Sequence, residues 1–295
     1  MLINDLEYFE RSCNYNGKTS GMDHPGHCHL GKHFWQSYEI QEFNYKYNSW
    51  GFRGPEYDEF IGKPVNICLG DSFTVNIGGP IEHSWSSQLA EKFDIPTLNL
   101  GMDGAGNDAI RLVYKRACEV FDVQNTFVMY SFLHRRLEDK KFTLLEYTLA
   151  ATGDDFSKNV EYFSQQRIPG VYEAALPTWC WTEQEFLLFA NKFKIYMFDY
   201  PNSTLYSTHK HQVDQNRPLC VSKNKYNSLR GSDWPTFKNF INGADPCPEM
   251  LTEEFGDFVK KHLLYVNRDG YHMNNEANKK YAEYFYKQWK QKNES

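Results

Sequence analysis

The chain has 295 residues, of which 41% are hydrophobic and 24% are charged, so it can bury a core large enough to fold. Its net charge of -6 at pH 7 provides no positive field for a polyanion, which argues against nucleic acid as a partner. No apolar run reaches the roughly 18 residues that a membrane-spanning helix needs, and the acidic start MLINDLEYFERSC does not resemble a secretory signal.

Residues 1–63 contain many His, Asn, Gly and aromatic residues and show little periodicity. This pattern predicts an irregular N-terminal extension that packs on a core domain at residues 64–295. The extension contains a group of potential zinc ligands: His24, His27, Cys28, His29 and His33. Because their spacing fits no common zinc finger, we interpret them as turn-capping and packing residues, and we predict neither a metal nor a cofactor.

The chain has seven cysteines, at positions 13, 28, 68, 118, 180, 220 and 247. Their odd number and scattered positions do not form the dense pattern of a disulfide-linked scaffold. We therefore predict reduced thiols and a cytoplasmic protein.

From residue 64 onward, short apolar runs alternate with stretches of helical periodicity. The predicted elements are, in order, a strand at Val65–Leu69, a helix at His83–Phe93, a strand at Pro96–Leu100, a helix at Asn107–Phe121 and a strand at Asn125–Phe132. Consecutive strands joined by helices form right-handed crossovers in a parallel sheet. The sequence therefore predicts a three-layer, doubly wound α/β fold with helices on both faces of the sheet.

Periodicity is weaker in the second half of the chain. A helical pattern is present at Glu183–Phe193, and Pro218–Ser222 is a weaker candidate for a strand. At the end, Asn275–Trp289 has an aromatic or alanine residue at every fourth position, which forms a helical stripe. We expect this last helix to dock on the sheet.

The segment Gly70-Asp71-Ser72 directly follows the first predicted strand. Glycine at a strand end permits a sharp turn, and a serine at the start of the next helical turn presents its hydroxyl and its backbone N–H. That N–H can donate to an oxyanion, as the reaction of a nucleophilic serine requires. In isolation, the commoner role of a serine in this position is to cap the helix.

A second candidate block lies near the other end of the chain, where Asp269 precedes His272 by three residues. At this spacing the carboxylate can hold the imidazole in one tautomer on a turn. His272 could then act as a general base for Ser72, while Asp269 stabilises the imidazolium that forms. Alone, the same residues would be interpreted as a solvated turn before a helix.

Taken together, four blocks resemble the SGNH, or GDSL, hydrolase family. They are NSWGFR at 48–53, GDSFT at 70–74, NLGMDG at 99–104 and DGYH at 269–272, in the family's order. The resemblance implies the flavodoxin-like fold of that family. It also implies a catalytic triad of Ser72, Asp269 and His272, with the N–H groups of Ser72 and Gly101 as oxyanion donors.

The block after the third strand departs from the family pattern. The family has an asparagine there that donates to the oxyanion, whereas this chain has SFLHRR at 131–136. Loss of one such donor costs about 2.7–4 kcal/mol in the activation barrier. His134, Arg135 and Asn107 are the candidates to replace it, and His134 is preferred because an imidazole N–H reaches a similar position. The Gly-Asn-Asp segment at 106–108 follows the second strand, which suggests that it caps the next helix instead.

Arg53 admits two interpretations. Its guanidinium could anchor the extension to the strand ends by pairing with a carboxylate, or it could bind oxygens of a substrate. The turn-forming residues Asn48 and Gly51 beside it favour anchoring.

The sequence thus predicts a serine esterase that acts on carboxylic esters through an acyl-Ser72 intermediate, with carbohydrate O-acetyl esters as one candidate substrate class. Transfer of the acyl group to another hydroxyl would use the same residues. Two alternatives remain open: a catalytically silent module that binds a glycan or an acylated partner, and a zinc-dependent structural protein. The expected partner is a small-molecule or carbohydrate ester, with no nucleic acid and no membrane.

Overall fold

A computed structural model of the protein describes residues 45–133, 135, 137–138, 141–144, 156–177, 180–181, 183–198 and 272–294. The chain divides into two compact units. The described part of the first unit lies within 45–176 and 278–294, and that of the second lies within 177–198 and 272–277. Most of the 1–63 extension lies outside the described residues, so its boundary stays a prediction.

The first unit contains a four-stranded parallel sheet. Its strands are β1 (Pro64–Leu69), β2 (Thr97–Asn99), β3 (Asp122–Tyr130) and, after an antiparallel pair formed by β4 (Leu137–Glu138) and β5 (Lys141–Leu144), β6 (Tyr172–Ala175). The order across the sheet is β2-β1-β3-β6. The chain therefore reverses its direction of winding between β1 and β3, which is the switch point of a doubly wound fold and the place where such folds bind ligands.

Six α-helices accompany the strands in the described part of the chain. They are α1 (Ser72–Val75), α2 (Trp85–Ala90), α3 (Asn107–Val120), α4 (Phe156–Gln166), α5 (Glu183–Leu187) and α6 (Asn275–Asn293). Short 3-10 helices occur at Asp58–Phe60 and Ile81–His83. None of the described helices has the combination of length and apolar character that a membrane crossing requires.

Aromatic contacts show that helices cover both faces of the sheet. Phe127 of β3 contacts Phe285 of α6, with ring centroids 5.7 Å apart, and Tyr130 contacts Phe163 of α4, with centroids 5.0 Å apart. Residues three apart on a strand point to opposite faces, so α6 and α4 lie on opposite sides. Trp85 of α2 contacts the same Phe285 at 4.7 Å, and α3 packs beside α4. The predicted three-layer α/β fold is therefore confirmed.

The last helix docks on the sheet as predicted. The Tyr281 hydroxyl donates to the Ala175 carbonyl at the end of β6, at 2.7 Å. The Asn278 side chain accepts from the Trp85 N–H at 2.9 Å and donates to Asn76 Oδ1 at 3.0 Å. These contacts join α6 to β6, to α2 and to the turn that follows α1.

The predicted elements differ from the observed ones mainly at their ends. The helix predicted at His83–Phe93 begins at Trp85, because Ser84 caps it by accepting a hydrogen bond from the Ser87 N–H at 3.1 Å. The third strand, expected at Asn125–Phe132, begins at Asp122, where it pairs with the start of β1. The strand β6 was not predicted, because its four residues include two alanines, which favour strands only weakly.

The second unit contains the helical stretch that was predicted at Glu183–Phe193. Its first part is α5, and a π-helical turn at Leu188–Phe193 continues it. Trp181 packs on Phe189 of this turn, with ring centroids 4.7 Å apart. The strand predicted at Pro218–Ser222 lies outside the described residues.

Candidate active site

The turn after β1 places Ser72 at the carboxyl edge of the sheet, as the first residue of α1. A Cβ atom on Gly70 would lie 2.0 Å from Thr74 Oγ1 and 2.9 Å from the Met129 carbonyl oxygen, so only glycine fits between β3 and the returning chain. Ser72 itself is 4% exposed. The backbone of this turn is therefore fixed by close packing.

Asp71, and not Ser72, caps this helix. Its Oδ1 atom accepts a hydrogen bond from the Phe73 N–H at 3.1 Å. Because a helix N-terminus needs a side-chain acceptor of this kind, Asp71 performs the role that a serine in this position commonly has. The capping role that the sequence suggested for Ser72 therefore belongs to Asp71.

The second carboxylate oxygen of Asp71 faces the end of β3. Asp71 Oδ2 accepts from the Ser131 hydroxyl at 2.6 Å and from Arg135 Nη1 at 3.0 Å. Asp71 is fully buried, and the Arg135 side chain is 12% exposed. The switch point between β1 and β3 thus holds a shielded ion pair whose carboxylate belongs to the residue before Ser72. The sequence did not predict this pair.

The NLGMDG block after β2 packs against α1. The Asn99 amide donates to the Thr74 carbonyl at 2.8 Å, and Asn99 Oδ1 accepts from the Gly101 N–H at 2.9 Å. The Gly101 N–H is therefore already engaged, and the predicted oxyanion role of Gly101 would require this hydrogen bond to break. In the turn that follows, Gly104 has a φ of 70°, and its N–H makes no hydrogen bond to a described residue.

Asn107 holds the end of β3 in place. Its Nδ2 donates to the Ser131 carbonyl and its Oδ1 accepts from the Ser131 N–H, both at 2.9 Å. The expectation that the Gly-Asn-Asp segment at 106–108 caps the following helix is confirmed, since Gly106 is the N-cap and α3 begins at Asn107. Because both ends of its amide are bound to Ser131, Asn107 is also a poor candidate for the missing oxyanion donor.

Arg53 anchors the turn after α1. Its guanidinium donates to the carbonyls of Val75, Asn76 and Gly79, at 3.0, 2.6 and 2.9 Å, and lies 4.3 Å from the centre of the Tyr45 ring. Anchoring was the favoured interpretation, but the partners are carbonyls and not a carboxylate. Burial lowers the pKa of the Arg53 guanidinium. Since the side chain is only 1% exposed, Arg53 has little surface to offer a substrate.

The NSWGFR block builds the tight turn that presents Arg53. Asn48 Oδ1 accepts hydrogen bonds from the Trp50 and Phe52 N–H groups, each at 3.0 Å. Gly51 has a φ of 83°, a left-handed conformation that favours glycine. The turn therefore brings Arg53 back opposite Tyr47, with which it forms an isolated β-bridge.

The remaining predicted site residues are distributed over the chain. Ser72 belongs to the first unit, whereas His272 belongs to the second and is half-buried. Asp269 and His134 lie outside the described residues, as do the five potential zinc ligands at 24–33. The triad and the role of His134 therefore stay predictions. Within the described ranges, no group of three or more His, Cys, Asp or Glu side chains is arranged to hold a metal.

No protein-family profile and no curated protein matches the sequence. Among solved structures, a G-D-S-L family protein from Desulfitobacterium hafniense DCB-2 is 15% identical, with a TM-score of 0.30 and coverage of 75% of this chain and 96% of that chain. The psychrotrophic esterase EstA from Pseudoalteromonas sp. is 12% identical, with a TM-score of 0.33 and coverage of 79% and 99%.

A third structure, a member of the lipolytic protein G-D-S-L family from Veillonella parvula DSM 2008, is 14% identical, with a TM-score of 0.27 and coverage of 52% of this chain and 82% of that chain. TM-scores this low say nothing about the activity of this chain. The fold is established by the sheet order and the two helical layers described above.

Proposed function

We propose that the protein is a serine hydrolase that cleaves carboxylic esters through an acyl-Ser72 intermediate. The observation that carries the proposal is the placement of Ser72. It begins α1 at the carboxyl end of β1, beside the switch point, and Asp71 has taken over the capping role. Ligands of doubly wound folds bind at this edge, so Ser72 lies where a substrate would be bound.

In the proposed reaction, His272 removes the proton from the Ser72 hydroxyl as Oγ attacks the ester carbonyl carbon. The resulting tetrahedral intermediate collapses when His272 returns the proton to the leaving alcohol, and a C–O bond breaks. Water then attacks the acyl-enzyme by the same route and releases the carboxylic acid. Asp269 orients His272 and stabilises its protonated form.

The tetrahedral intermediate carries a negative oxygen that needs hydrogen-bond donors. The Ser72 N–H is the first in this proposal. The second is a glycine N–H of the NLGMDG block, from Gly101 if its bond to Asn99 opens on substrate binding, or from Gly104 if it does not. His134 is proposed as the third, in place of the family's asparagine.

Carbohydrate O-acetyl esters are the narrower substrate class within this proposal, and a cytoplasmic setting is the narrower location. Acyl transfer to a second hydroxyl would follow the same steps with an alcohol in place of water. The acceptor decides between hydrolysis and transfer, so product analysis with a sugar acceptor present would separate them.

A catalytically silent binding module is the second candidate. It is favoured by the engaged Gly101 N–H and by the arginine and serine that follow β3 where the family has its asparagine. This candidate predicts ligand binding without turnover and without covalent labelling of Ser72.

The deciding experiment is labelling with a fluorophosphonate probe, with the modified residue located by mass spectrometry. We expect the wild type to be labelled at Ser72, Ser72→Ala to be unlabelled, and Ser164→Ala, a control on α4 whose hydroxyl binds the Val160 carbonyl, to be labelled like the wild type. An unlabelled wild type, or equal labelling of Ser72→Ala, would exclude the proposed nucleophile.

The role of His272 requires a separate measurement. We expect His272→Ala to lower hydrolysis of p-nitrophenyl acetate by about 10³-fold or more. For the wild type, the rate should rise with pH as the imidazole loses its proton and should stay high on the alkaline side. Unchanged turnover in His272→Ala, or full activity at pH 4, would rule out His272 as the base.

A further inference from the structure

The ion pair between Asp71 and Arg135 is the most unusual electrostatic feature of the switch point. Asp71 is completely buried, and its Oδ2 atom receives one hydrogen bond from Ser131 at 2.6 Å and one from Arg135 at 3.0 Å. A buried carboxylate without a cation is strongly destabilising, and Arg135 supplies the cation for Asp71. The two residues are 64 positions apart in the sequence.

Several contacts hold Arg135 in the position that this pairing needs. Its Nη1 atom also donates to the Ser131 hydroxyl at 3.1 Å, and its guanidinium lies 4.5 Å from the centre of the Phe132 ring. A Cβ atom on Gly106 would lie 2.9 Å from the Arg135 carbonyl oxygen, so this glycine lets the backbone approach the start of α3. Arg135 is thus built into the edge of the sheet and is not a surface cation.

The charge of Asp71 matters for the proposed reaction because Ser72 is the next residue. When Ser72 attacks an ester, a second negative charge develops on the former carbonyl oxygen. Two like charges in a shielded site repel each other far more strongly than they would in water. An uncompensated Asp71 would therefore raise the barrier, and a cation bound to Asp71 removes that penalty.

We infer that Arg135 is a positioning residue that neutralises Asp71, so that the oxyanion can form on a substrate attached to Ser72. The inference rests on the proposed function. It assigns to Arg135 an action through Asp71, in contrast to the direct donation to the oxyanion for which Arg135 was one candidate. The two actions differ in a testable way, because only the first depends on the carboxylate.

The test is a double-mutant cycle on hydrolysis of p-nitrophenyl acetate with Arg135→Gln, Asp71→Asn and the double variant. We expect Arg135→Gln to lower kcat by about 10- to 100-fold with KM within about twofold, since the lost interaction acts in the transition state. Asp71→Asn keeps an acceptor for the Phe73 N–H, because asparagine also caps helices well. In the double variant, we expect kcat to return to within about fivefold of the wild type, since neither charge remains.

Arg135→Lys should lie between Arg135→Gln and the wild type, because lysine supplies the charge without the planar geometry. Arg116→Gln, which removes an exposed pair with Glu119 on α3, is the matched control and should leave kcat unchanged. The inference is overturned if Arg135→Gln has the kcat of the wild type. It is equally overturned if the double variant is as slow as Arg135→Gln, since Arg135 would then act without Asp71.

Two further measurements show whether a loss of activity comes from misfolding or from failure of the proposed function. Thermal unfolding shows whether each variant is folded, and Arg135→Lys and the double variant remain informative if Arg135→Gln alone does not fold. Wild-type labelling by the fluorophosphonate probe tests the proposed function by itself. If the wild type is neither labelled nor active, the proposed function fails and the inference falls with it. If the wild type is active, the ratios among variants test Arg135 alone.

Discussion

The segment 70–79, which follows β1 and includes α1, and the segment after β3 lie at the same edge of the sheet, yet different interactions hold them. Side chains from three other parts of the chain, Arg53, Asn99 and Asn278, bind the segment 70–79, and Gly70 and Gly101 both pack closely against Thr74. The segment after β3 depends on Asn107 and on one ion pair with Asp71.

Because of this difference, we expect substitutions in the first segment to change mainly the stability of the fold, and loss of the ion pair after β3 to change mainly the reaction rate. Most interactions around the segment 70–79 satisfy buried backbone groups, so their loss should destabilise the fold. After β3, the Arg135 guanidinium pairs with Asp71, so under the proposed function its loss should slow the reaction in a protein that still folds. Substitutions in the two segments can therefore test this expectation.

The largest expected effect is that of Arg53→Met, which removes a side chain that binds the segment 70–79. Three buried carbonyls would lose their donor, so we expect the free energy of unfolding to fall by about 4 kcal/mol. Urea denaturation measures the change. Arg116→Met is the control, because its side chain is 39% exposed and surface ion pairs contribute little, about 0.5 kcal/mol. A loss under about 1 kcal/mol for Arg53→Met would contradict the anchoring role.

Gly70→Ala should have the next largest effect, a loss of about 3 kcal/mol in the free energy of unfolding. The added methyl group would overlap Thr74 and the Met129 carbonyl. Gly62→Ala is a matched control, because Gly62 has a φ of +69° but nothing lies within 4 Å of its added Cβ. We expect that control to lose only about 1 kcal/mol, from backbone strain alone. Equal losses for the two variants would show that packing at Gly70 is unimportant.

In the segment after β3, His134→Ala should lower kcat by about 10²-fold, which corresponds to about 2.7 kcal/mol in the barrier. KM and the free energy of unfolding should stay close to those of the wild type. His134→Asn, which introduces the residue type of the family, should retain part of the activity. Wild-type turnover in His134→Ala would make the residue structural, and the third donor would have to be sought elsewhere.

Asn107→Ala should have the smallest of these effects, a loss of about 2 kcal/mol in the free energy of unfolding, because the Ser131 backbone loses two partners. The labelling rate per folded molecule should change little. Asn125→Ala, which removes a half-buried amide bonded to Asn66 on the neighbouring strand, is the control, with an expected loss under about 1 kcal/mol. A drop in kcat at unchanged stability would instead identify Asn107 as an oxyanion donor.

The regular elements of the first unit were predictable where their patterns are strong. β1 and β2 lie in apolar runs that are followed by glycine, and α3 and α6 have apolar residues at helical spacing. These patterns identify the four elements. β6 escaped prediction because Tyr172–Ala175 is short and lacks β-branched residues. The end of β3 was misplaced because Asn107, on another element, fixes Ser131.

The site was only partly predictable, because its decisive contacts join distant parts of the chain. The position of Ser72 follows from the local GDS block. The cap that Asp71 forms is also local, since it binds the Phe73 N–H two residues on. Its pairing with Arg135, however, depends on the register of β1 against β3, which no local pattern contains. The hydrogen bond from the Gly101 N–H to Asn99 is local. It was not predicted because the family resemblance assigns a role to Gly101 and none to Asn99.

The hydrogen bond between Asn76 and Asn278 has a consequence for how the protein is made. The two residues are 202 positions apart, so the turn after α1 gains this partner only after Asn278 in α6 has been synthesised. A ribosome adds about 5–20 residues per second, so roughly 10–40 s separate the two residues during translation. The sheet can begin to assemble in that interval, but the turn after α1 gains this hydrogen bond only near the end of synthesis. A chain released before Asn278 would therefore lack this hydrogen bond to the turn after α1.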